Sequence, residues 1–461
     1  MTSGRKTALG LLLLDTGALA LVFNLVGWLW GVVHPRAPLL APLGVPWLFL
    51  VVAVFLIDGY RQRTDMTGLD YTSMHAIALA SALAVTLLFM FAVLPAGFSL
   101  QQSRAVVGLG FAVLVPVTLS YRRFIHLRYL RARQDRRLVF IGDAPSRETF
   151  LAECERARMH QTVVYVGTRT EDPRATRSPF DGRIAVRPLD GVLADIRSGA
   201  LPVEAIVLRE TNRELTAEVS QELVDLYFAG IPTYTLELFH QVYWRKIPLY
   251  RLNPTWLFQE GFRVAREPVF ERIKRLSDVA FSVFGLTLAT PLLLAASAAI
   301  WLEDRGPIFF RQTRIGRHRA PFSLVKLRTM RQAPQPNGAL YTAPNDARIT
   351  RVGRFLRASR IDEIPQLMNV LRGEMSLIGP RAEWDRLVSD YERQIPSYHF
   401  RHLVRPGITG WAQVNYPYGA NLDDTLRKLE YDLYYIRHFS FTLDASIILK
   451  TIHVMLFGRG R

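Results

Sequence analysis

The sequence predicts a membrane protein in three parts: a four-helix transmembrane unit, a Rossmann-like α/β middle domain, and a mainly α segment with a re-entrant membrane helix of its own. Three observations carry that prediction. Hydrophobic residues make up 49% of the 461 and crowd into long runs near the N-terminus. Strand-like and helix-like stretches then alternate. A further apolar run, interrupted by a proline, precedes a dense series of basic motifs. Two or three domains is the prior for this length, and the expected boundaries are 1–128, 129–253 and 254–461.

Four apolar runs open the chain: Ala8–Val33, Leu39–Ile57, Met74–Leu94 and Ala105–Tyr121. A bilayer core about 30 Å thick needs about 20 apolar residues in a helix. The first three runs are long enough to cross and the fourth is short. The first is too long for a signal peptide and has no small-residue cleavage site. Asp15 within it is expected to face the other helices or lie near an interface. Basic residues set the orientation. Arg5 and Lys6 precede the first run, Arg61 and Arg63 separate the second from the third, and Arg122, Arg123, Arg128, Arg131 and Arg133 follow the fourth. The other two loops hold one arginine each, Arg36 and Arg104. Both ends of the unit, and everything after it, are therefore expected on the cytoplasmic side of the membrane.

The middle third reads as alternating strands and helices. Leu138–Ile141, Thr162–Val166, Ala205–Leu208 and Pro232–Thr235 are the expected strands, with a helix over Leu215–Ala229. Such alternation implies a small parallel sheet. Gly142-Asp143-Ala144-Pro145-Ser146 follows the first strand but lacks the G-x-G-x-x-G spacing that brings backbone against a pyrophosphate. A structural or regulatory module and a nucleotide site both remain open for this domain.

The apolar run Leu276–Leu302 is long enough to span as a straight helix. A crossing would carry everything after it outside the cell. Thr290-Pro291 lies in its middle, where proline removes a helical hydrogen bond and kinks the helix. Two half-helices that dip in and return, over 276–302, are expected. An ordinary kinked transmembrane helix is the competing reading.

The formal charge of +17 favours anionic partners. From Arg305 to Arg360 there are thirteen basic residues and one acid, Asp346. That concentration beside a membrane helix reads either as a solvated face beside the membrane or as a surface that handles phosphorylated substrates at the level of membrane lipid headgroups; no nucleic acid is expected. With Cys154 the single cysteine, the chain cannot form an intrachain disulfide or a cysteine-built metal site.

The motifs in order are Gly306-Pro307-Ile308-Phe309-Phe310-Arg311-Gln312, Arg314-Ile315-Gly316, Lys326-Leu327-Arg328-Thr329-Met330 and Arg351-Val352-Gly353-Arg354-Phe355-Leu356-Arg357. They continue with Ser359-Arg360-Ile361-Asp362-Glu363-Ile364-Pro365-Gln366-Leu367, Ser376-Leu377-Ile378-Gly379-Pro380-Arg381 and Arg405-Pro406-Gly407-Ile408-Thr409-Gly410-Trp411-Ala412-Gln413-Val414-Asn415. Pro365 is tolerated only in the first turn of a helix, so a helix is expected to start near Ile361–Ile364 with Asp362 and Glu363 at its N-terminus. An Asp-Glu pair there is commonly just a favourable cap. Next to thirteen cations it is also a place where one carboxylate attacks phosphorus while its neighbour holds a divalent metal.

Together these motifs resemble the bacterial sugar transferase family, monotopic phosphoglycosyl transferases that act on undecaprenyl phosphate. The likeness covers about Glu267–Arg461, and the four-span and Rossmann-like parts resemble the large fused members that begin exopolysaccharide or O-antigen repeat units. The family's helix is re-entrant at Ser-Pro, here Thr290-Pro291; its Lys-Phe-Arg-Ser-Met is here Lys326-Leu327-Arg328-Thr329-Met330. Its Asn-Gly-Arg is replaced by Asn415-Tyr416-Pro417-Tyr418-Gly419. The resemblance implies that Asp362 attacks the β-phosphorus of a UDP-sugar and releases UMP, with Glu363 the Mg²⁺-associated carboxylate. The phosphosugar then passes to undecaprenyl phosphate. Lys326, Arg328, Arg357, Arg360, Arg381 and Arg405 become candidates for binding substrate phosphate. By the same analogy UDP-glucose or UDP-galactose is the expected donor, and the N-terminal parts are candidates for mediating a homodimer. Two other readings stay in view: a metal-dependent glycosyltransferase that moves only the sugar, although the chain has no D-x-D, and a non-catalytic assembly scaffold.

Overall fold

A computed structural model describes residues 3–34, 38–61, 64–93, 104–131, 135–157, 159, 162–167, 186–209, 216–249, 268–331, 346–416 and 421–457. Pro417-Tyr418-Gly419 and the segment 332–345 within the basic stretch lie outside these residues. By its contacts the chain forms two units, Leu127–Arg251 and a second made of Met1–His126 with Leu252–Arg461.

The N-terminal runs become α1 (Ser3–Leu29), α2 (Gly44–Leu56), α3 (Leu69–Ala92) and α4 (Arg104–Arg131). The second departs from expectation. Its α-helix has 13 residues, about 20 Å at 1.5 Å per residue, shorter than a bilayer core. Pro42, Gly44 and Pro46 explain this, because they hold the first residues in a 3₁₀ turn (Ala41–Leu43) and delay the helix start to Gly44. Among the described residues the helices long and apolar enough to cross a membrane are α1, α3, α4 and a fourth that comes later in the chain. The protein is a membrane protein.

Asp15 faces the other helices. It is fully buried, and Arg122 of α4 grips both its oxygens, at 2.7 and 2.6 Å. The hydroxyl of Tyr60 donates to it at 2.6 Å, and Tyr121 donates to it too. Arg122, expected in a cytoplasmic loop, is thus a helix residue that neutralises a buried charge. A bidentate pair with its remaining acceptors filled is the form in which such burial is tolerated.

The middle unit holds β1 (Arg137–Ile141), α5 (Ala144–Arg156), β2 (Val163–Gly167), β3 (Val186–Pro188), α6 (Leu189–Arg197), β4 (Val203–Leu208), α7 (Ala217–Phe228), β5 (Thr233–Thr235) and α8 (Leu236–Phe239). All five strands are parallel, in the order β3-β2-β1-β4-β5. That is the doubly wound arrangement, whose ligand crevice lies where the order reverses, at the ends of β1 and β4. Asp143 sits in that crevice. It caps α5 by accepting from the amide of Ser146 at 3.3 Å and forms an ion pair with Arg209 at the end of β4. A side-chain carboxylate therefore stands where a dinucleotide phosphate would dock.

The C-terminal part begins with α9 (Pro268–Asp304), then β6 (Phe309–Ile315), β7 (Pro321–Leu327), α10 (Arg351–Ala358), α11 (Gln366–Arg372), β8 (Ser376–Ile378), α12 (Asp385–Gln394), β9 (Gly407–Thr409), α13 (Trp411–Asn415), α14 (Leu422–Arg437) and α15 (Phe441–Phe457). In place of two half-helices, α9 is one continuous helix through Pro291. Proline denies a partner only to the carbonyl four residues back, and one lost bond does not break a helix whose flanks are held elsewhere. The hydroxyl of Thr290 bonds back to the carbonyl of Leu286 at 2.8 Å, a contact that bends helices.

Both flanks of α9 are fixed to the same body. Arg275 donates to the carbonyls of Val370 and of Leu371, the latter at 2.7 Å, at the C-terminal end of α11. Lys274 pairs with Asp444 at 2.6 Å. At the far end, Glu303 accepts from the amides of Arg351 (2.8 Å) and Val352 (3.2 Å), at the start of α10. A cation at a helix C-terminus and an anion at a helix N-terminus each complement the local dipole. Along its other faces α9 exposes Leu276, Phe281, Phe284, Leu288, Leu294 and Leu302.

Candidate active site

The antiparallel hairpin β6–β7 is the platform. Its register sets Phe310 opposite Lys326, Gln312 opposite Leu324 and Arg314 opposite Phe322. Side chains alternate across a strand, so these six share one face. Leu324 and Phe322 pack there on Val370, Met375 and Ala382. On the other face Leu327 packs with Ala296 and Ile300 of α9 and Leu356 of α10. Asn369 of α11 ties the layers together, accepting from the amide of Val325 at 3.0 Å and donating to the carbonyl of Ser323 at 2.7 Å.

The acidic pair lies between α10 and α11. Thr350 caps α10, its hydroxyl accepting from the amide of Gly353 at 2.8 Å. A Cβ at Gly353 would collide with the carbonyl of Thr329, so only glycine lets α10 lie this close to the end of β7. Arg360 then takes a left-handed conformation (φ 59°), and Ile361–Glu363 form a 3₁₀ turn with Pro365 just ahead of α11. The expected helix start is thus displaced: the carboxylates precede α11 by a turn. The amides of Glu363, Ile364, Leu367 and Met368 all donate to backbone carbonyls. The positive field at the pair comes chiefly from side chains.

Four of the six candidate cations gather there. Arg360 and Arg381 lie 3.5 and 3.6 Å from the same oxygen of Glu363. Lys326, Arg357 and Arg360 act on Asp362. Asp362 is buried, and burial, with Glu363 adjacent, pushes its carboxyl up to about 6 against the pull of those cations. Burial pushes the ammonium of Lys326 down to about 8; Asp362 opposes that shift, and Arg314 and Arg381 add to it. Among the described residues the Oδ1 of Asp362 and the Nη1 of Arg357 are buried without a hydrogen-bond partner. Buried polar atoms are seldom left so.

The other two cations are committed elsewhere. Arg328 pairs with Asp304 at the end of α9. Arg405 bonds the carbonyl of Gly373 at 3.1 Å and Glu271 at 2.9 Å, and Glu271 also binds Arg317. Arg381 is braced from behind, its carbonyl accepting from Arg401 at 3.0 Å; Arg401 is itself paired with buried Asp432 at 2.9 Å. Gly379 and Gly407 press backbone to backbone beneath it, with no room for a Cβ on either. Those two motif glycines serve packing. Phe310, Gln312 and Arg314 stand in motifs of the sequence that carried no site role for them. The strand alternation that carries Lys326 onto the site was the available signal, because it carries their side of β6 there too.

The family profile for bacterial sugar transferases matches residues 269–458, the segment that builds this site. A UDP-N-acetylgalactosamine-undecaprenyl-phosphate N-acetylgalactosaminephosphotransferase of Aeromonas hydrophila is 40% identical over 310 residues, covering 65% of this chain and 70% of that protein. The chain belongs to the bacterial sugar transferase family. It is an enzyme of the phosphoglycosyl transferase type. Other members align over shorter stretches. A UDP-glucose:undecaprenyl-phosphate glucose-1-phosphate transferase of Caulobacter vibrioides is 44% identical over 185 residues, 40% of this chain and 69% of that protein. One of the same name from Escherichia coli (strain K12) is 40% identical over 184 residues, 39% of each chain.

Proposed function

We propose that this chain transfers a hexose-1-phosphate from a UDP-sugar to undecaprenyl phosphate, releasing UMP, as the first membrane step of exopolysaccharide or O-antigen synthesis. The observation that carries the reading is the buried Asp362, with a free oxygen, among the unpartnered Nη1 of Arg357 and the cations Lys326, Arg360 and Arg381. A carboxylate so placed suits nucleophilic attack on phosphorus, and the cations suit charge on the phosphate oxygens.

In the first step a carboxylate oxygen of Asp362 bonds to the β-phosphorus, and the bond from that phosphorus to the bridging oxygen breaks. UMP leaves with that oxygen and the electron pair. In the second step a phosphate oxygen of undecaprenyl phosphate attacks the same phosphorus and the acyl phosphate bond breaks. Asp362 is regenerated as a carboxylate. Glu363 beside it offers hard oxygen donors of the kind Mg²⁺ takes, and among the described residues there is no cluster of three or more His, Cys, Asp or Glu to hold a metal alone. That fits an ion held by one or two carboxylates together with substrate phosphates. Bound there, Mg²⁺ would neutralise charge on the diphosphate. The reading places the site at the cytoplasmic face; the attachment of both ends of α9 to one body and the basic residues beside the apolar runs support that.

The test uses full-length protein in nanodiscs with Mg²⁺, a panel of UDP-sugars including glucose, galactose and N-acetylgalactosamine, and undecaprenyl phosphate. UMP is the expected nucleotide product. Without acceptor, the peptide containing Asp362 should carry a phosphosugar by mass spectrometry, and Asp362→Asn should lose both adduct and UMP. Release of UDP, or near-normal turnover by Asp362→Asn, would overturn the reading.

A further inference from the structure

Lys326 is a half-buried lysine with no hydrogen bond or ion pair among the described residues. What holds its ammonium is an aromatic ring: Nζ lies 5.3 Å from the ring centroid of Phe310, the residue opposite it in the hairpin register. Phe310 is itself 40% exposed, too open to serve only as core. Around the ammonium the charges conflict, since Asp362 and Glu363 attract it while Arg314 and Arg381 repel it. A flexible four-carbon stem in that field has no single resting place. The electron-rich face of an aromatic ring attracts a cation without offering a proton acceptor or a competing charge. All three N–H donors of the ammonium stay available for a phosphate.

We propose that Phe310 is a positioning residue: its ring fixes the ammonium of Lys326 in place to receive the donor's diphosphate. The inference deepens the transfer reading and rests on it for the identity of the donor. Phe310 acts only through Lys326, so its contribution vanishes when Lys326 is absent.

A double-mutant cycle tests this, read as the Kd of UDP with Mg²⁺ by calorimetry on the full chain in nanodiscs, together with the rate of UMP release. Phe310→Leu, which keeps an apolar side chain but removes the ring face, should weaken UDP binding roughly 3- to 30-fold. Phe310→Tyr and Phe310→Trp should stay within about 2-fold of the parent, because each keeps a ring face. In the Lys326→Met background, Phe310→Leu should change nothing further. Should Phe310→Leu misfold by melting temperature, trifluorophenylalanine at 310 keeps the shape while depleting the ring face, and it must give the same loss. Parental binding by Phe310→Leu, an equal loss in the Lys326→Met background, or Tyr and Trp variants as weak as Leu would each overturn the proposal. Intact coupling between positions 310 and 326 in a protein that releases no UMP would instead refute the transfer reading alone.

Discussion

Burial drives the titrations of Asp362 and Lys326 toward each other, to about 6 and about 8. Attack on phosphorus needs the carboxylate ionised, and holding a diphosphate needs the ammonium charged. Turnover measured from pH 5 to 9 should therefore form a bell, falling tenfold per unit below about 6 and again above about 8. A flat profile across pH 5–7 would contradict the assignment of Asp362. The same shift has a consequence for stability. A folded-state value above the unfolded one, near 3.9, means the native state holds more protons between about pH 4 and 6, so stability is lost as pH rises through that window. At pH 7 the ionised Asp362 is a net cost, and Asp362→Asn should be inactive yet more stable, by about 1–3 kcal/mol. Thermal melting of the two proteins at pH 7 checks this, and an Asn variant that melts lower is the contrary result. At this scale the carboxylates were legible because adjacency and motif name them. Arg328 and Arg405 were not separable from the other cations, because their partners Asp304 and Glu271 are distant in sequence.

Among the elements, α9 carries the clearest tension between local chemistry and tertiary contacts. Its composition is that of a span, and 37 residues would reach about 55 Å if straight. Yet Arg275 near its start and Glu303 near its end hold the two ends of the α10–α11 segment, which flanks the acidic pair. A polar body cannot be attached to both flanks of a helix whose flanks lie on opposite sides of a bilayer, since its buried charges would have to cross as well. Both flanks should therefore lie on the same side, which the proposed function makes the cytoplasmic one. Replacing Cys154 with serine and placing single cysteines near Lys274 and near Arg305 makes this measurable. An impermeant thiol reagent outside intact cells should modify neither. Modification near Arg305 alone would make α9 a transmembrane helix. The sequence pointed to Thr290-Pro291 as the interruption, whereas the helix runs on through Pro291, because proline there costs it only one hydrogen bond.

For the whole molecule, the apolar runs, the parallel middle sheet and the basic transferase segment were readable because each is local: a run, an alternation, a motif. What joins the transmembrane helices to the transferase segment was not. The joint is α15, whose 17 residues include Asp444, Lys450 and His453 and so read as no span. One side of α15 enters the membrane unit's core: Leu449 is buried there, and the imidazole of His453 bonds the hydroxyl of Ser73 on α3 at 3.0 Å. Its other side carries the transferase contacts. Thr451 bonds Thr409 at 2.7 Å, Lys450 bonds Asn415 at 2.7 Å, and Asp444 pairs with Lys274 across a separation of 170 residues. Among the described residues none of the groups acting on Asp362 comes from the first 253, so a chain beginning near residue 254 should still release UMP. It should do so from a weaker fold, because Leu449 and the flank around His453 lose their cover. A side chain such as leucine gains about 1.5–3 kcal/mol from burial, so a drop of several degrees in melting temperature is expected. The comparison is made in nanodiscs, full chain against fragment, with UMP release and melting read on the same samples. A folded, membrane-bound fragment with no activity would show that the N-terminal parts shape the site itself. Equal melting temperatures would show that α15 gains nothing from the helices it leans on.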